Sequence, residues 1–294
     1  MRDDRGVRKV ARVQSELGES PVWDARTGLL YFVDISQGKI NVLRQEGRVE
    51  TVHQSTARIG ALGLTESGNL IFTEDACIAL FDVASSEVYR RATALQDQVG
   101  FRFNDGGCDP QGRFVTGLMD MGSNRRPGAL YRYDSALNAQ VVHDGVTLPN
   151  GLAWSEDGRT LFFVDSVACS IFRAAYSAEG VLEDVTLFVK TAGNLGRPDG
   201  IALDREGGLW VCQFNGACLL RYDRNGRLTE RVTVPVPRPT SCCFGGDDLG
   251  TLFISTARFA MTPAELDAYA DAGDLYALRP DVGGMARHVF KESN

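Results

Sequence analysis

The sequence has little of what marks a nucleic-acid-binding, membrane or secreted protein. Its 31 Lys and Arg residues are outnumbered by 38 Asp and Glu residues, which gives a net charge of −7. Nucleic acids and anionic membranes attract basic surfaces, so neither is expected as a partner. No apolar run approaches the roughly 20 residues that span a bilayer. Residues 1–10 are charged and lack the apolar segment of a secretory signal. We therefore expect a cytoplasmic protein.

Common cysteine and catalytic motifs are also missing. The seven cysteines include no Cys-x-x-Cys pair, and an odd number scattered over a long chain argues against a disulfide framework. Most of them lie in apolar strand patterns, where cysteine packs as a small hydrophobe. The chain contains no G-x-S-x-G, H-E-x-x-H or P-loop motif, so no familiar hydrolase or nucleotide-binding signature explains its function.

Short turns rich in Asp and Gly recur along the whole chain. Each precedes an apolar run, as in DARTG before LLYFVD and SEDGR before TLFFVD. Asp and Gly supply the positive φ that a tight hairpin needs. The glycines of the six turns, separated by 40, 44, 46, 49 and 43 residues, are Gly28, Gly68, Gly112, Gly158, Gly207 and Gly250. This spacing indicates six copies of one structural unit.

Each unit contains a strand before the turn, a strand after it and one or two further β-prone stretches. Four antiparallel strands in about 40–50 residues are typical of a propeller blade. The sequence therefore predicts an all-β protein, a six-bladed β-propeller with four-stranded antiparallel blades and a central channel, in one domain over residues 1–294. Residues 7–13 are left over and should add a strand to the last blade. Thr262, Pro263 and Glu265 predict one short helix that ends near Gly273.

One position recurs at the start of every strand that leads into a turn. It lies eight residues before the turn glycine, or nine where the turn is one residue longer. The residues at this position are Glu19, Gly60, Asn104, Asn150, Asp199 and Ser241. Equivalent positions on six innermost strands face one another across the channel axis. The repeat therefore predicts a ring of polar side chains around one small space.

This ring has two interpretations: its residues either belong to ordinary turns or form a functional site. Asn or Asp before Gly is common turn chemistry, but the hairpin turns are already assigned eight residues downstream. Two carboxylates that face each other across a narrow channel repel unless a cation lies between them. The candidate ligands are oxygen donors, which suit Ca²⁺, Mg²⁺ or Mn²⁺, with Zn²⁺ and Fe²⁺ still possible. We expect one divalent metal ion at this site.

Five motifs in register resemble one protein family over essentially the whole chain. They resemble the senescence-marker protein/gluconolactonase/luciferin-regenerating enzyme family, which includes regucalcin and bacterial sugar lactonases. The motifs are GESPVW (18–23), RFNDG (102–106), PNGLAWS (149–155), PDGIALD (198–204) and TSCCFGG (240–246). The resemblance implies a six-bladed propeller with one divalent metal on its axis.

The resemblance also implies roles for individual residues. Glu19, Asn150 and Asp199 match the metal ligands of the family, and Asp199 also matches its catalytic acid and base. Arg102 and Asn104 match residues that contact substrate hydroxyls. The third blade departs from the family pattern: where members read GTMAEE, with a Glu that contacts the sugar, this chain reads GLMDMG (117–122). Asp120 either replaces that Glu or the pocket recognises a different sugar.

The leading hypothesis is a metal-dependent hydrolase that opens a sugar lactone to the aldonic acid. The metal would act as a Lewis acid, Asp199 would move the proton, and Arg102 and Asn104 would bind the sugar. Two alternatives remain open, namely hydrolysis of phosphotriesters and a non-catalytic calcium-binding propeller. The expected partner is a small sugar lactone, and the protein is expected to be a monomer or a weak homo-oligomer.

Overall fold

The computed structural model describes residues 6–92, 100–122 and 126–293. It contains six four-stranded antiparallel sheets, which confirms the predicted six-bladed β-propeller. The innermost strands of neighbouring sheets contact one another around the ring and enclose the axis. Residues 1–5, 93–99, 123–125 and 294, which belong to the predicted domain over 1–294, lie outside the described residues. No helix in the described part of the chain is long and apolar enough to cross a membrane.

The strands follow one another outwards from the axis in every blade. The chain starts with β1 (Arg8–Ala11). The first blade contains β2 (Gly18–Asp24), β3 (Leu29–Asp34), β4 (Lys39–Leu43) and β5 (Val49–Gln54). The second contains β6 (Leu62–Leu64), β7 (Leu70–Glu74), β8 (Cys77–Asp82) and β9 (Glu87–Arg91). The third contains β10 (Phe101–Cys108), β11 (Phe114–Asp120), β12 (Gly128–Tyr133) and β13 (Ala139–Val146).

The remaining blades repeat this order. The fourth contains β14 (Pro149–Trp154), β15 (Thr160–Asp165), β16 (Ser170–Tyr176) and β17 (Leu182–Lys190). The fifth contains β18 (Arg197–Leu203), β19 (Leu209–Phe214), β20 (Cys218–Tyr222) and β21 (Leu228–Thr233). The sixth contains β22 (Pro239–Gly245), β23 (Thr251–Thr256), β24 (Leu275–Leu278) and, outermost, β1.

Strand β1 closes the ring, as the sequence predicts. It pairs antiparallel with β24, with Arg8 opposite Ala277 and Lys9 opposite Tyr276. The first strand of the chain thus completes the last blade, which ties the two ends of the repeat together and leaves β24 without a free edge.

Apolar side chains fill the spaces between blades. One cluster combines Val33 and Ile40 of the first blade with Phe72 and Phe81 of the second, and all four are fully buried. Burial of each such side chain contributes about 1.5–3 kcal/mol. The period-2 alternation within each strand places these residues against the neighbouring blade and holds the innermost strands in fixed positions.

The Asp of a hairpin turn also joins neighbouring blades. Asp109 accepts hydrogen bonds from the backbone nitrogens of Gln111 (3.0 Å) and Arg113 (2.9 Å) within its own turn. Its Oδ2 also accepts from Arg113 Nε (2.6 Å) and from the hydroxyl of Tyr176 (2.7 Å) in the fourth blade. Gly112 completes the turn with φ +84°. The repeated turn motif therefore fixes both a hairpin and a contact between blades.

The one α-helix among the described residues, α1 (Pro263–Ala268), is inserted between β23 and β24 as predicted; Gln45–Gly47 and Gly193–Leu195 form short 3-10 turns. Thr262 accepts from the Glu265 nitrogen and the Glu265 side chain accepts from the Thr262 nitrogen, so the capping box is present. The predicted end near Gly273 is wrong, because the helix stops at Ala268 and Tyr269 leaves the helical region with φ −124°. The helix buries no residue, so no packing holds further turns in place.

The C-terminal segment 283–291 covers one end of the channel. The Gly284 nitrogen donates to Leu249 O, the Phe290 nitrogen to Leu64 O and the Lys291 nitrogen to Gly112 O. These partners lie at the hairpin turns, so the segment crosses the end of the channel where the innermost strands finish. Residues 283–291 show no periodic pattern of apolar residues that would predict this placement. The predicted ring lies at the other end, where those strands begin.

Candidate functional site

β-Bulges in the innermost strands direct the predicted ring residues. In β2 the pairing register shifts between Glu19 and Val22, and in β14 it shifts between Asn150 and Leu152. Strands β10, β18 and β22 carry equivalent shifts. A bulge breaks the strict alternation of side chains and turns one of them away from the sheet. The same irregularity at the same position therefore presents these side chains to the axis.

The structure brings the six predicted site residues together around one cavity of about 430 Å³. The cavity opens at the end of the propeller opposite segment 283–291. The predicted residues that line it are Glu19, Arg102, Asn104, Asp120, Asn150 and Asp199. All six are buried, with exposed fractions of 9% or less.

Two members of the predicted ring do not line this cavity. A Cβ on Gly60 would lie 2.4 Å from the carbonyl oxygen of Phe103, so glycine is needed there for close approach of the third blade. Ser241 is buried against Gly200 of the fifth blade, where an added Cβ would lie 2.2 Å from the Ser241 Oγ. Both positions therefore serve packing between innermost strands.

A chain of hydrogen bonds fixes the orientation of Asn150. Asn104 Nδ2 donates to Asn150 Oδ1 over 2.6 Å, and Asn150 Nδ2 donates to Ser166 Oγ over 2.8 Å. The Ser166 hydroxyl in turn donates to the carbonyl oxygen of Pro198 over 2.5 Å. Because that hydroxyl has only one proton, its oxygen must accept from the Asn150 amide nitrogen. The amide oxygen of Asn150 is therefore directed towards Asn104.

Glu19 and Asp199 form the anionic part of the site. Burial, followed by the charges of Asp199 and Asp105, holds the pKa of Glu19 well above its usual value. Burial and the charge of Asp105 likewise raise the pKa of Asp199. Asp199 Oδ1 is buried and has no hydrogen-bond partner among the described residues. An unpartnered carboxylate oxygen in a buried site is costly unless a ligand completes it.

Sequence reasoning missed two residues that support the site. Asp105 Oδ2 accepts from the Gly151 nitrogen over 2.8 Å and Oδ1 accepts from the Gly106 nitrogen over 2.7 Å, which ties the bulge of β10 to that of β14. Ser166 follows β15, the second strand of its blade, and lies outside the register that identified the ring. The carboxylate beside Asn104 in RFNDG was the available signal for Asp105, whereas Ser166 had none.

Asp120 lies at the cavity but is already engaged by protein groups. Its Oδ2 accepts from the backbone nitrogen (2.9 Å) and Nε (3.0 Å) of Arg126, and its Oδ1 accepts from the Gly122 nitrogen (3.0 Å). These bonds lower the pKa of Asp120, and the side-chain bond to Arg126 is the largest cause. The Arg126 guanidinium lies 4.4 Å from the Phe101 ring centroid. Asp120 thus has little capacity left for a sugar hydroxyl.

The residues present fit a divalent cation. Two buried carboxylates with raised pKa values, one of them with an unpartnered oxygen, lie beside an amide oxygen of fixed orientation. All are hard oxygen donors, which is the ligand type that Ca²⁺, Mg²⁺ and Mn²⁺ prefer. Within the described ranges no three His, Cys, Asp or Glu side chains group together as a metal cluster. The fit therefore depends on Asn150 as the third ligand.

Fold and cavity together define a class, that of six-bladed β-propellers with a polar cavity on the axis. The chain belongs to the SMP-30/Gluconolactonase/LRE-like family, whose model matches residues 17–258. The family predicted from the five motifs is thereby confirmed.

Named relatives cover almost the full length of the chain. It is 35% identical to 6-deoxy-6-sulfogluconolactonase of Pseudomonas putida, over 96% of this chain and 97% of that protein. It is 32% identical to L-arabinolactonase of Azospirillum brasilense, over 96% and 94%. A crystal structure of regucalcin from Agrobacterium tumefaciens, 24% identical, matches with a TM-score of 0.89 over 96% of both chains and supports the fold.

Proposed function

We propose that the protein is a metal-dependent sugar lactonase that hydrolyses an aldonolactone to the aldonic acid. Membership of the gluconolactonase family and two relatives named as lactonases support this activity. The observation that carries the proposal is the buried Glu19 and Asp199 pair, whose pKa values are raised and whose Asp199 Oδ1 lacks a partner. We further propose that the whole chain acts as one domain.

Glu19, Asn150 and Asp199 would hold one divalent ion. The two carboxylates offset its charge, and Asn150 adds a neutral oxygen whose direction Ser166 fixes. When bound, the ion would act as a Lewis acid towards the lactone carbonyl and lower the pKa of water at the site. The ligand chemistry favours Ca²⁺, Mg²⁺ or Mn²⁺, while Zn²⁺ and Fe²⁺ remain to be compared in the assay.

Asp199 is the proposed acid and base. Hydrolysis of a lactone requires removal of a proton from the attacking water and delivery of a proton to the ring oxygen that leaves. Asp199 Oδ1 is the available atom, because it faces no hydrogen-bond donor in the described part of the protein. Without the ion, burial and the charge of Asp105 raise the pKa of the Asp199 carboxyl. A bound cation would favour the ionised carboxylate, which is the form that accepts a proton.

Arg102 and Asn104 are the proposed contacts to the sugar. The Arg102 guanidinium is buried at the cavity, and its Nη1 donates to the Phe103 carbonyl oxygen over 2.9 Å, which fixes the plane of the group. Its other donors remain in a fixed fork that suits hydroxyl or carboxylate oxygens. Asn104 uses Nδ2 for Pro149 O (3.0 Å) and Asn150, so its amide oxygen can accept from a sugar hydroxyl. Asp120 remains a candidate only if substrate displaces Arg126.

A substrate panel tests the proposal. Chelator-treated protein is assayed against aldonolactones and one phosphotriester after separate addition of Ca²⁺, Mg²⁺, Mn²⁺, Zn²⁺ and Fe²⁺. We expect lactone hydrolysis that is lost with chelator and restored by at least one ion. Lactone hydrolysis at the same rate with chelator and with added metal would refute the mechanism. Preference for the phosphotriester, or no turnover with any ion, would favour the phosphotriesterase or the non-catalytic calcium-binding alternative respectively.

A further inference from the structure

Three arginines from three different blades line the cavity that contains the proposed metal site. They are Arg58, which precedes β6, Arg102 of β10 and Arg197 of β18. Arg102 is buried, Arg197 is half-buried and Arg58 is exposed at the mouth. The positive charge therefore extends from the floor of the cavity to its rim.

The carboxylates of the cavity do not neutralise these arginines. Asp120 is paired with Arg126 at 3.0 Å. Glu19 and Asp199 are the proposed ligands of a divalent ion, whose two charges they would balance. Arg58 approaches Asp75 only at 3.9 Å, with both side chains largely exposed, and solvent screens such a contact strongly. Asp105, whose charge also reaches Glu19 and Asp199, is itself offset by Arg287. Once an ion is bound, the cavity therefore carries excess positive charge.

Arg197 is held in place by an aromatic ring and not by a hydrogen-bonded carboxylate; Asp199 attracts it only through space. Its guanidinium lies 5.8 Å from the Phe214 ring centroid, and Arg238 lies 5.6 Å from the same ring. Arg238 is itself anchored by Asn215 Oδ1 at 2.6 Å from its Nε. The Arg197 guanidinium has no hydrogen bond to any residue that the structure describes, although its backbone pairs with Phe214 in the sheet. Its donors are therefore positioned at the cavity and available to a ligand.

We infer that the lactone hydrolysed here carries an anionic substituent, which Arg197 binds and whose charge Arg58 helps to balance from the rim. This inference rests on the proposed lactonase function and names the class of its substrate. Carboxylate, sulfonate and phosphate groups all present oxygens that match the guanidinium fork. A neutral aldonolactone offers only hydroxyls, which leave Arg197 without a hydrogen-bonded counter-charge and Arg58 with only its solvent-screened contact to Asp75. The ester is opened beside Glu19 and Asp199, while the anion lies towards the rim.

Matched lactones test this inference. The metal-loaded enzyme is assayed with 1,5-lactones of the gluco and galacto series that carry at C6 a hydroxyl, a carboxylate, a sulfonate or a phosphate. We expect kcat/KM for at least one anionic lactone to exceed that for its hydroxyl counterpart by about tenfold or more, the effect of one charge-assisted hydrogen bond. That advantage should shrink as ionic strength rises. Comparison of the carboxylate, sulfonate and phosphate lactones shows which anionic group the cavity prefers.

Variants connect the preference to the arginines. Arg197→Gln and Arg58→Gln should each lower the ratio of anionic to neutral kcat/KM, whereas Arg197→Lys should retain part of it. Arg44→Gln, which changes a residue just after β4 and outside the cavity, is the matched control and should leave the ratio unchanged. The inference would be overturned if neutral lactones were hydrolysed as well as every anionic one and if neither Gln variant changed the ratio of anionic to neutral kcat/KM. That result would leave the lactonase function intact. Failure to hydrolyse any lactone would refute both.

Discussion

Asn104 Nδ2 donates to Asn150 Oδ1 over 2.6 Å, which joins the third and fourth blades directly at the axis. The two residues occupy the same register position in successive blades, and bulges turn both towards the cavity. Asn150 is held from its other side by Ser166 at 2.8 Å. The amide that is proposed to bind the ion is therefore oriented by two neighbours before any ion arrives, and this pre-organisation can be tested.

Ser166→Ala should weaken metal binding without unfolding the protein. The variant removes the acceptor of Asn150 Nδ2, so the amide can rotate and direct its nitrogen at the ion. Loss of a group that orients a ligand typically lowers metal affinity by about 10- to 100-fold. The dissociation constant is measured by competition with a chelator of known affinity.

Ser170→Ala is the matched control for this change. Ser170 lies in the same blade and is equally buried, but its hydroxyl donates to Ala168 O at 2.9 Å and does not contact Asn150. Its metal affinity should equal that of the wild type. Equal affinities for Ser166→Ala and Ser170→Ala would show that Ser166 does not orient the ligand.

Asp199→Asn should abolish lactone turnover, whereas Arg102→Ala should mainly raise KM. The first change removes the proposed proton acceptor and one ligand charge at once. The second removes donors to the sugar but leaves the proposed ligands in place. Steady-state kinetics at saturating metal separate the two effects. A near-normal kcat for Asp199→Asn would remove the acid and base role from this residue.

Metal-free protein should become less stable as pH rises, because Glu19 and Asp199 have raised pKa values in the folded state. Between the pKa of each group in the unfolded chain and its pKa in the folded protein, the native protein binds a proton that the unfolded chain has already released. In that pH range the free energy of unfolding falls by up to about 1.4 kcal/mol per pH unit for each group. The fall begins above the ordinary pKa values of 4.5 and 3.8. It ends once both folded groups are ionised.

Asp199→Asn isolates this effect from other titrating groups. Burial lowers the pKa of His53, His143 and His288. These histidines therefore make the free energy of unfolding rise with pH below about 6.5, which is opposite to the effect of the two carboxyl groups. These histidines are the same in both proteins and cancel in the difference. Chemical denaturation with chelator present should show that the free energy of unfolding of the variant increases relative to that of the wild type as pH rises. Parallel profiles would mean that Asp199 is not destabilised by burial in the folded protein.

Asp109→Ala should destabilise the protein without touching the cavity. It leaves Arg113, which Asp109 contacts at 2.6 Å, without its charge partner and removes the acceptor of the Tyr176 hydroxyl. Breaking a buried ion pair from one side costs about 3–5 kcal/mol. Asp157→Ala, in the equivalent turn of the fourth blade, changes an exposed residue and should cost about 0.5 kcal/mol or less. Similar losses for both variants would contradict the proposed link between blades.

The repeat register predicted the fold and most of the cavity because both depend on local periodicity. Turn glycines such as Gly112 and Gly158 mark the hairpins, and counting back from them finds Asn104 and Asn150. The same procedure included Ser241, because it cannot show that Gly200 of the next blade approaches so closely. It also missed Ser166, which reaches the site only after β14 and β15 have paired.

Two further features lay beyond such reasoning. Strict alternation places Asp105 on the opposite face of β10 from Asn104, and only the bulge between Phe103 and Gly106 changes that relation. The C-terminal segment crosses several blades through single hydrogen bonds from Gly284 to Lys291, so it has no repeating pattern to detect. Both features depend on contacts between distant parts of the chain.

Glu19, Asn150 and Asp199 are proposed to bind the ion on which lactone hydrolysis depends. Anomalous diffraction from crystals of active protein soaked in Mn²⁺ would locate that ion. We expect one strong peak on the axis, roughly 2.0–2.6 Å from a carboxylate oxygen of Glu19, a carboxylate oxygen of Asp199 and the amide oxygen of Asn150. A metal-dependent lactonase whose peak lies elsewhere, or whose axis shows no peak at saturating Mn²⁺, would contradict this proposal.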